Sequence, residues 1–567
     1  MKSKLLSVVT VFVAVTVIVG AIAAIAIPSL LRARVSYSPQ RQTPLDAYRT
    51  TPPATSQPMP GREEDAAGVS RSTADALAKL AAREWRDQPS MNTEAYSRIR
   101  DNAFLAVAAN PLSTFSIDVD TASYANVRRF LNAGQLPPPD AVRIEELLNY
   151  FRFDYPPPAG DAPFSVAAGV AACPWKPSHK LVQIGLQARR VDDQAVPARN
   201  LVFLLDVSGS MNEPAKLPLL KDSMRLLVEQ LNGRDRVAIV VYAGAAGLVL
   251  PPTPGDRKGE IRAALDALEA GGSTAGGAGI QRAYQVAEDA YIDGGVNRVI
   301  LATDGDFNVG VTSEGGLVRL IEEKRKSGVF LSVLGFGRGN LKDSTMEMLA
   351  DKGNGNYAYI DTLAEGRKVL VTEGGSTLVT VAKDVKIQVE FNPNTVSAFR
   401  LIGYENRVLA HEDFNDDGKD AGDIGAGHSM TALYEIVPAG VPLDAGSVDP
   451  PKYQQPRAAS AAAANGELAT VKLRYKAPDG ETSTPLATTV RDDGGEASAN
   501  LRFAAAVAEF GMLLRNSEHK GTASFAQALE LGRGATGDDP DGFRTEFIGL
   551  VEQAQRLAET KGGVVGS

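Results

Sequence analysis

Apolar and polar residues alternate along residues 198–372 with two different periods. Short apolar runs, such as 201–205 and 237–241, have the length and composition of strands that are buried on both faces. The segments between them, such as 217–231 and 279–291, repeat their apolar residues every three or four positions, as amphipathic helices do. Apolar strands that alternate with such helices predict a mostly parallel, doubly wound sheet that helices cover on both faces.

Strand patterns without intervening helices flank this region on both sides. They favour a β-sandwich into which the parallel-sheet domain is inserted. A strand and two helices, at 122–131 and 141–150, are predicted within residues 110–158, with Asp120 or Thr121 capping the first helix. The flanking strands are predicted at 164–171, 180–188, 385–391, 399–402, 430–436, 470–475 and 482–490, and three terminal helices at 499–514, 524–531 and 541–560.

The amino end of the chain has the pattern of a membrane anchor. Residues 5–27 are uncharged and mainly apolar, and lysines and arginines flank them on both sides. About 20 such residues cross a bilayer as one helix, whereas a secretory signal has a shorter apolar core. We therefore expect a retained anchor, with a cleaved and secreted form as the alternative. Residues 35–88 follow as a polar, proline-rich stretch that cannot bury a core and predicts a flexible stalk.

Composition narrows the classes of function. The formal net charge is −9, which disfavours binding to nucleic acid. Cys173 is the only cysteine, so no disulfide forms within the chain. None of the four histidines belongs to a His-Glu-x-x-His pair, and neither a nucleophile elbow nor a phosphate-binding P-loop occurs. We therefore expect a binding protein and not an enzyme.

Two strand ends and one glycine-rich loop carry the candidate chemistry. Asp-Val-Ser-Gly-Ser directly follows the run 201–205, a second apolar strand at 299–305 ends in Thr-Asp-Gly, and a threonine lies in a Gly-Gly-Ser-Thr loop. Carboxylates and hydroxyls are hard oxygen ligands, which suit Mg²⁺ better than a soft metal. The alternative is a serine and glycine turn with a helix N-cap. The candidate ligands are Asp206, Ser208, Ser210, Thr274 and Asp304.

These five residues, in this order, resemble the metal-ion-dependent adhesion site of the von Willebrand factor type A domain. Together with the stretches 110–124 and 425–435, they make the chain similar to the bacterial YfbK-like proteins over about residues 95–560. The resemblance implies a cell-envelope protein with a central A domain that holds Mg²⁺, or Mn²⁺ or Ca²⁺ in its place. An acidic residue of another protein would complete the shell of the ion.

The resemblance and the patterns together predict the domain organisation. The expected parts are a transmembrane anchor (1–34), a stalk (35–94), an N-terminal A-domain-associated domain (95–160), two parts of a β-sandwich (161–197 and 373–500) around the A domain (198–372), and a helical end (501–567). The expected location is the inner membrane, crossed once, with the soluble region on the periplasmic side.

The functional hypothesis is therefore a membrane-anchored protein that binds a partner with an exposed Asp or Glu through a divalent cation. A scaffold whose metal is structural is one alternative, and a metal-dependent hydrolase is another.

Two further motifs have competing interpretations. Residues 413–418 match the start of a calcium loop, but Ile424 stands where a bidentate glutamate belongs, which favours a solvated turn. Asp118 and Asp120 favour a cap and a turn, with a second metal pair as the alternative.

Overall fold

The computed structural model describes residues 93–191, 196–243, 246–272, 276–305, 314–374, 379–442 and 460–563. All of them lie in Pro89–Ser567, one of the two units into which the chain divides. The strands are β1 (Leu105–Ala106), β2 (Leu112–Ser116), β3 (Phe164–Ala172), β4 (Lys180–Ala188), β5 (Arg199–Asp206), β6 (Arg236–Tyr242), β7 (Ala246–Pro254), β8 (Val296–Thr303), β9 (Phe330–Phe336), β10 (Tyr357–Ile360), β11 (Thr380–Phe391), β12 (Val396–Ile402), β13 (Gly422–Gly425), β14 (Ser429–Pro438), β15 (Glu467–Lys476) and β16 (Thr484–Arg491). The α-helices are α1 (Ala122–Asn132), α2 (Ile144–Asn149), α3 (Leu217–Glu229), α4 (Lys258–Asp266), α5 (Gly276–Asp289), α6 (Glu314–Lys324), α7 (Asp343–Lys352), α8 (Leu363–Arg367), α9 (Ala499–Arg515), α10 (Phe525–Arg533) and α11 (Phe543–Gly563).

The central sheet has the order β10-β9-β8-β5-β6-β7, and every pair is parallel except β6 with β7. Side chains of β5 alternate between its two faces because successive residues of a strand point to opposite sides. Leu201 and Phe203 join one buried core with α3 and α4, whereas Val202 and Leu204 join another with α5, α6 and α7. The predicted doubly wound sheet with helices on both faces is confirmed.

Two antiparallel sheets form the β-sandwich. One has the order β1-β12-β14-β4-β3, and the other has the order β13-β11-β15-β16, with β2 also paired to β11. Their inner faces share one buried core, which includes Phe115, Ile184, Ile387, Tyr434 and Leu473. Because the parallel sheet lies in the chain between β4 and β11, the structure confirms the predicted insertion of this domain into a sandwich.

The segment before the sandwich differs from the prediction in detail. Strands β1 and β2 pair with β12 and β11, so they complete the sandwich. Thr121 stands at the N-cap of α1 without a capping side-chain hydrogen bond, and Asp120 instead accepts a hydrogen bond from the backbone N–H of Tyr357 at 2.8 Å. The predicted cap is therefore wrong, because a distant backbone donor binds the carboxylate. The second helix is also shorter than predicted, since a 3₁₀ turn at Pro139–Ala141 precedes α2.

The predicted anchor at 1–34 lies outside the described residues, as does the stalk up to residue 92. Among the helices that the structure does describe, none combines the length and apolar composition needed to cross a membrane.

The carboxyl end folds as three helices that pack on the N-terminal segment. The side chains of Ser498 and Ser524 accept hydrogen bonds from the third backbone N–H that follows each of them, which caps α9 and α10. The rings of Phe151, Phe503 and Phe547 meet edge to face, with centroids 4.9 to 5.6 Å apart. These contacts bury apolar side chains of α9.

Glu509 is a buried carboxylate on α9 whose ionisation should lower the stability of the fold. Its Oε1 accepts a hydrogen bond from the backbone N–H of Ser524 at 2.8 Å, but its Oε2 has no hydrogen-bond partner among the described residues. Burial raises the pKa of Glu509 to about 7, and the single backbone hydrogen bond only partly opposes this shift. The folded state therefore binds this proton more tightly than the unfolded state, and stability falls as the pH rises through 7.

We expect Glu509→Gln to remove this pH dependence. The Tm of the variant minus the Tm of the wild type should increase between pH 5 and pH 8, because only the wild type has to ionise a buried group. Differential scanning calorimetry at both pH values measures this difference, and the exposed Glu530→Gln provides a matched control. A Tm difference that is the same at both pH values would contradict the assignment.

Candidate metal centre

The two candidate aspartates lie at the carboxyl ends of neighbouring parallel strands. Asp206 is the last residue of β5, and Asp304 follows the last residue of β8. The register pairs Leu205 with Ala302, so both strands end at the same edge of the sheet. Both aspartates have no exposed surface. Ligands of open α/β sheets bind at this edge, outside the carboxyl ends of the strands.

The serine loop joins these two carboxylates. The backbone N–H of Ser208 donates to Oδ1 of Asp206 at 2.9 Å, and the hydroxyl oxygens of Ser208 and Ser210 are 3.0 Å apart. The side chain of Ser210 in turn hydrogen-bonds to Asp304. The structure therefore brings together four of the five predicted ligands.

The fifth predicted ligand, Thr274, lies outside the described residues. The glycines just before it contact the serine loop directly. The N–H of Gly209 donates to the carbonyl of Gly272 at 3.1 Å, and the N–H of Gly271 donates to the carbonyl of Val207 at 2.7 Å. The glycine-rich loop and the serine loop are thus hydrogen-bonded neighbours.

Lys216 is a site residue that the sequence patterns do not reveal. Its ammonium group donates to Oδ2 of Asp304 at 3.0 Å and to Oδ1 of Asn340 at 3.3 Å. Only 3% of the residue is exposed, because its aliphatic chain packs against the backbone at Gly337. A lysine just before a helix usually lies at the surface, so local sequence carries no signal for this contact.

The two aspartates have opposite pKa shifts. Burial raises the pKa of Asp206 to about 6, against the hydrogen bonds from Ser208, and the negative charge of Asp304 adds to this shift. Burial acts in the same direction on Asp304, but the hydrogen bond from Asn340 and the charge of Lys216 outweigh it and hold the pKa below its usual range. Asp304 is therefore ionised at neutral pH, and a cation near Asp206 would stabilise its ionised form as well.

The donor set suits a hard divalent cation. Two carboxylates and two hydroxyls supply only oxygen ligands, which Mg²⁺, Mn²⁺ and Ca²⁺ prefer. Ser210 and the flanking Gly209 and Gly272 are exposed, so the outer side of the site is open to another molecule. The residues present therefore fit an ion that keeps part of its shell for water or for a partner's oxygen.

Several oxygens of the calcium-loop motif accept hydrogen bonds from other groups of the protein. Lys386 and Lys476 donate to the backbone carbonyls of Asp416 and Asp417, and the ammonium group of Lys419 lies 3.2 Å from the carboxylate of Asp413. The carboxylate of Asp417 binds Ser483, and that of Asp416 accepts from the N–H of Gly418. The loop contains a 3₁₀ turn, His411–Asn415, and no flanking α-helix pair.

Comparison with known proteins identifies the family. The family model described as "Uncharacterized protein YfbK, C-terminal" matches residues 376–557, that of the von Willebrand factor type A domain matches residues 200–370, and one described as von Willebrand factor matches residues 90–183. YfbK of Escherichia coli strain K12 is 46% identical over 478 residues, which cover 82% of each chain. The chain belongs to the YfbK family. Because its centre is a von Willebrand factor type A domain, membership suggests protein–protein interaction or adhesion and a non-catalytic role.

Comparison with solved structures also finds similar chains. A von Willebrand factor type A protein from Catenulispora acidiphila is 16% identical and has a TM-score of 0.37, and the match covers 66% of this chain and 87% of that one. The ArnB paralog VWA2 from Sulfolobus acidocaldarius is 14% identical and has a TM-score of 0.33, and the match covers 70% of this chain and 98% of that one.

We expect Mg²⁺, Mn²⁺ or Ca²⁺ to raise the Tm of the full chain, and Asp206→Ala to abolish the rise caused by Mg²⁺. A ligand that binds only the folded state at about 100 times its Kd adds about 2.7 kcal/mol to the free energy of unfolding. Thermal unfolding in chelator and then in each cation measures the effect. Asp222→Ala, an exposed carboxylate on α3 of the same domain, is the control that should keep it. An equal Mg²⁺ response in Asp206→Ala would contradict the site.

Proposed function

We propose that the chain is a membrane-anchored cell-envelope protein whose A domain captures a partner protein through a divalent cation. Asp206, Ser208, Ser210, Thr274 and Asp304 would hold the ion, and an Asp or Glu of the partner would complete its shell. The family supports an interaction role, and the hard oxygen donors at the open edge of the sheet support the metal.

The contact between Lys216 and Asp304 is the observation that favours an acidic partner over a neutral one. Two ionised aspartates balance a divalent ion, so the buried ammonium group of Lys216 leaves the buried part of the site with one net positive charge. Glu213 lies 3.6 Å from this ammonium group, but its side chain is 60% exposed, so solvent weakens its influence. A site that remains positive after binding its metal favours a carboxylate over a neutral amide.

We expect the full chain to retain peptides with one central Asp or Glu in the presence of Mg²⁺ and to release them in chelator. A displayed peptide library with matched Asn and Gln versions measures this preference directly. Asp304→Ala should lose retention because it removes a metal ligand, while Asp222→Ala should keep it. Equal retention in chelator, or equal retention of the amide peptides, would favour the scaffold alternative with a structural metal.

Lys216→Met separates metal binding from partner binding in the same assay. The variant removes the positive charge without removing a metal ligand, so its response to Mg²⁺ should persist. Its affinity for acidic peptides should fall by roughly tenfold, the effect of about 1.4 kcal/mol from one nearby charge. Unchanged affinity for acidic peptides would show that Lys216 has no role in selecting the partner.

The proposed membrane anchor has its own test. Deletion of residues 1–34 should move the chain from the membrane fraction to the soluble fraction, because the described residues contain no spanning helix. Digestion of intact and of outer-membrane-permeabilised cells with protease would locate the A domain. Protection of the A domain until the inner membrane is broken would contradict the periplasmic placement.

A further inference from the structure

A second group of carboxylates, most of them buried and none of them a predicted ligand of the adhesion site, lies where three parts of the fold meet. The N-terminal segment contributes Asp118, Asp120, Arg143, Glu145 and Glu146, helix α7 contributes Asp343, Glu347 and Asp351, and the loop after β12 contributes Arg407. We call these nine residues the junction cluster. It connects the N-terminal segment, the A domain and the sandwich.

Three members of the junction cluster converge on one point. Asp118, Glu146 and Glu347 are buried, and each offers one carboxylate oxygen such that all three oxygens lie within 4.8 Å of one another. Ca²⁺ takes six to eight oxygen ligands, among them several carboxylates. Mg²⁺ usually binds only one or two carboxylates and keeps several waters. Three converging carboxylates therefore suit calcium better than magnesium.

The junction cluster has too few positive groups for its carboxylates. Arg143 contacts Glu146, Asp343 and Glu347, and Arg407 contacts Asp118, Asp120, Glu347 and Asp351. Five buried carboxylates thus share two guanidinium groups with Asp351, whose side chain is one-third exposed and also feels the charge of Lys352. Buried carboxylates need a counter-charge, a proton or a metal ion, so these ion pairs leave room for a further cation.

Glu145 provides a further observation that points to a cation. Only 1% of this residue is exposed, and its Oε2 accepts no hydrogen bond from any described residue. Glu145 and Glu347 both line a cavity of about 560 Å³, which gives an ion and its waters a route to the cluster. The Oε1 atom of Glu146 likewise accepts no hydrogen bond within the described part of the chain, although Nε of Arg143 lies 3.1 Å away.

We propose that the junction cluster binds one calcium ion through Asp118, Glu146 and Glu347, the last of which lines the cavity together with Glu145. The ion fixes the N-terminal segment against helix α7. It is a structural ion, separate from the ion of the adhesion site, and it gives the chain a second divalent cation that is held by more carboxylates.

The test uses the full chain carrying Asp206→Ala, so that the adhesion site does not contribute. Equilibrium dialysis with Ca²⁺ should find one ion bound per chain. Glu146→Gln or Glu347→Gln, added to this background, should weaken binding at least tenfold. Glu365→Gln is a matched control, because Glu365 is also buried and paired to an arginine but lies in a different network. Asp413→Asn is a second control, which tests the calcium-loop motif.

Each outcome decides the proposal. Loss of calcium in the junction variants, with retention in both controls, supports it. Calcium bound equally by the junction variants, or lost in Asp413→Asn alone, overturns it. Far-UV circular dichroism identifies any variant that fails to fold. In that case the test rests on calcium binding by the Asp206→Ala chain, in which every junction carboxylate is intact. If that chain binds no Ca²⁺ at millimolar concentration, the proposal is wrong.

Discussion

The burial of two like charges side by side is the constraint on which the metal centre depends. Asp206 and Asp304 have no exposed surface, and the parallel pairing of β5 with β8 places them at the same edge of the sheet. In a low-dielectric site such a pair is stable only if donors or cations surround it. The N–H of Ser208, the hydroxyl of Ser210 and the ammonium group of Lys216 meet part of this requirement. A divalent cation would meet the rest.

Elsewhere in the fold, arginines balance the charge of buried carboxylates. Arg128 on α1 binds Asp361 and Glu365 of the A domain and also Glu546 of α11. Like Arg143 and Arg407, it joins elements that are far apart in the chain. Removing one partner of a buried pair leaves an uncompensated charge and costs about 3–5 kcal/mol. The A domain is therefore held in its place by buried ion pairs as well as by its two covalent connections to the sandwich.

The sequence predicts those features that local pattern controls. Apolar runs locate the strands of the parallel sheet, and the topology then brings Asp206 and Asp304 together, because parallel strands end at one edge. Long-range partners have no such signal. Lys216 binds an aspartate that lies 88 positions later, and Asp120 binds a backbone N–H that lies 237 positions later. Periodicity shows which face a residue occupies, but not which distant group it meets there.

The central claim is that Asp206, Ser208, Ser210 and Asp304 bind a divalent cation beside a buried lysine. Anomalous diffraction from crystals of the full chain grown with Mn²⁺ tests this most directly, because it locates the ion without reference to a partner. The account predicts an anomalous peak coordinated by the hydroxyls of Ser208 and Ser210, with Lys216 still buried next to Asp304. Crystals grown with Mn²⁺ that show no anomalous peak at this edge of the sheet would contradict the account.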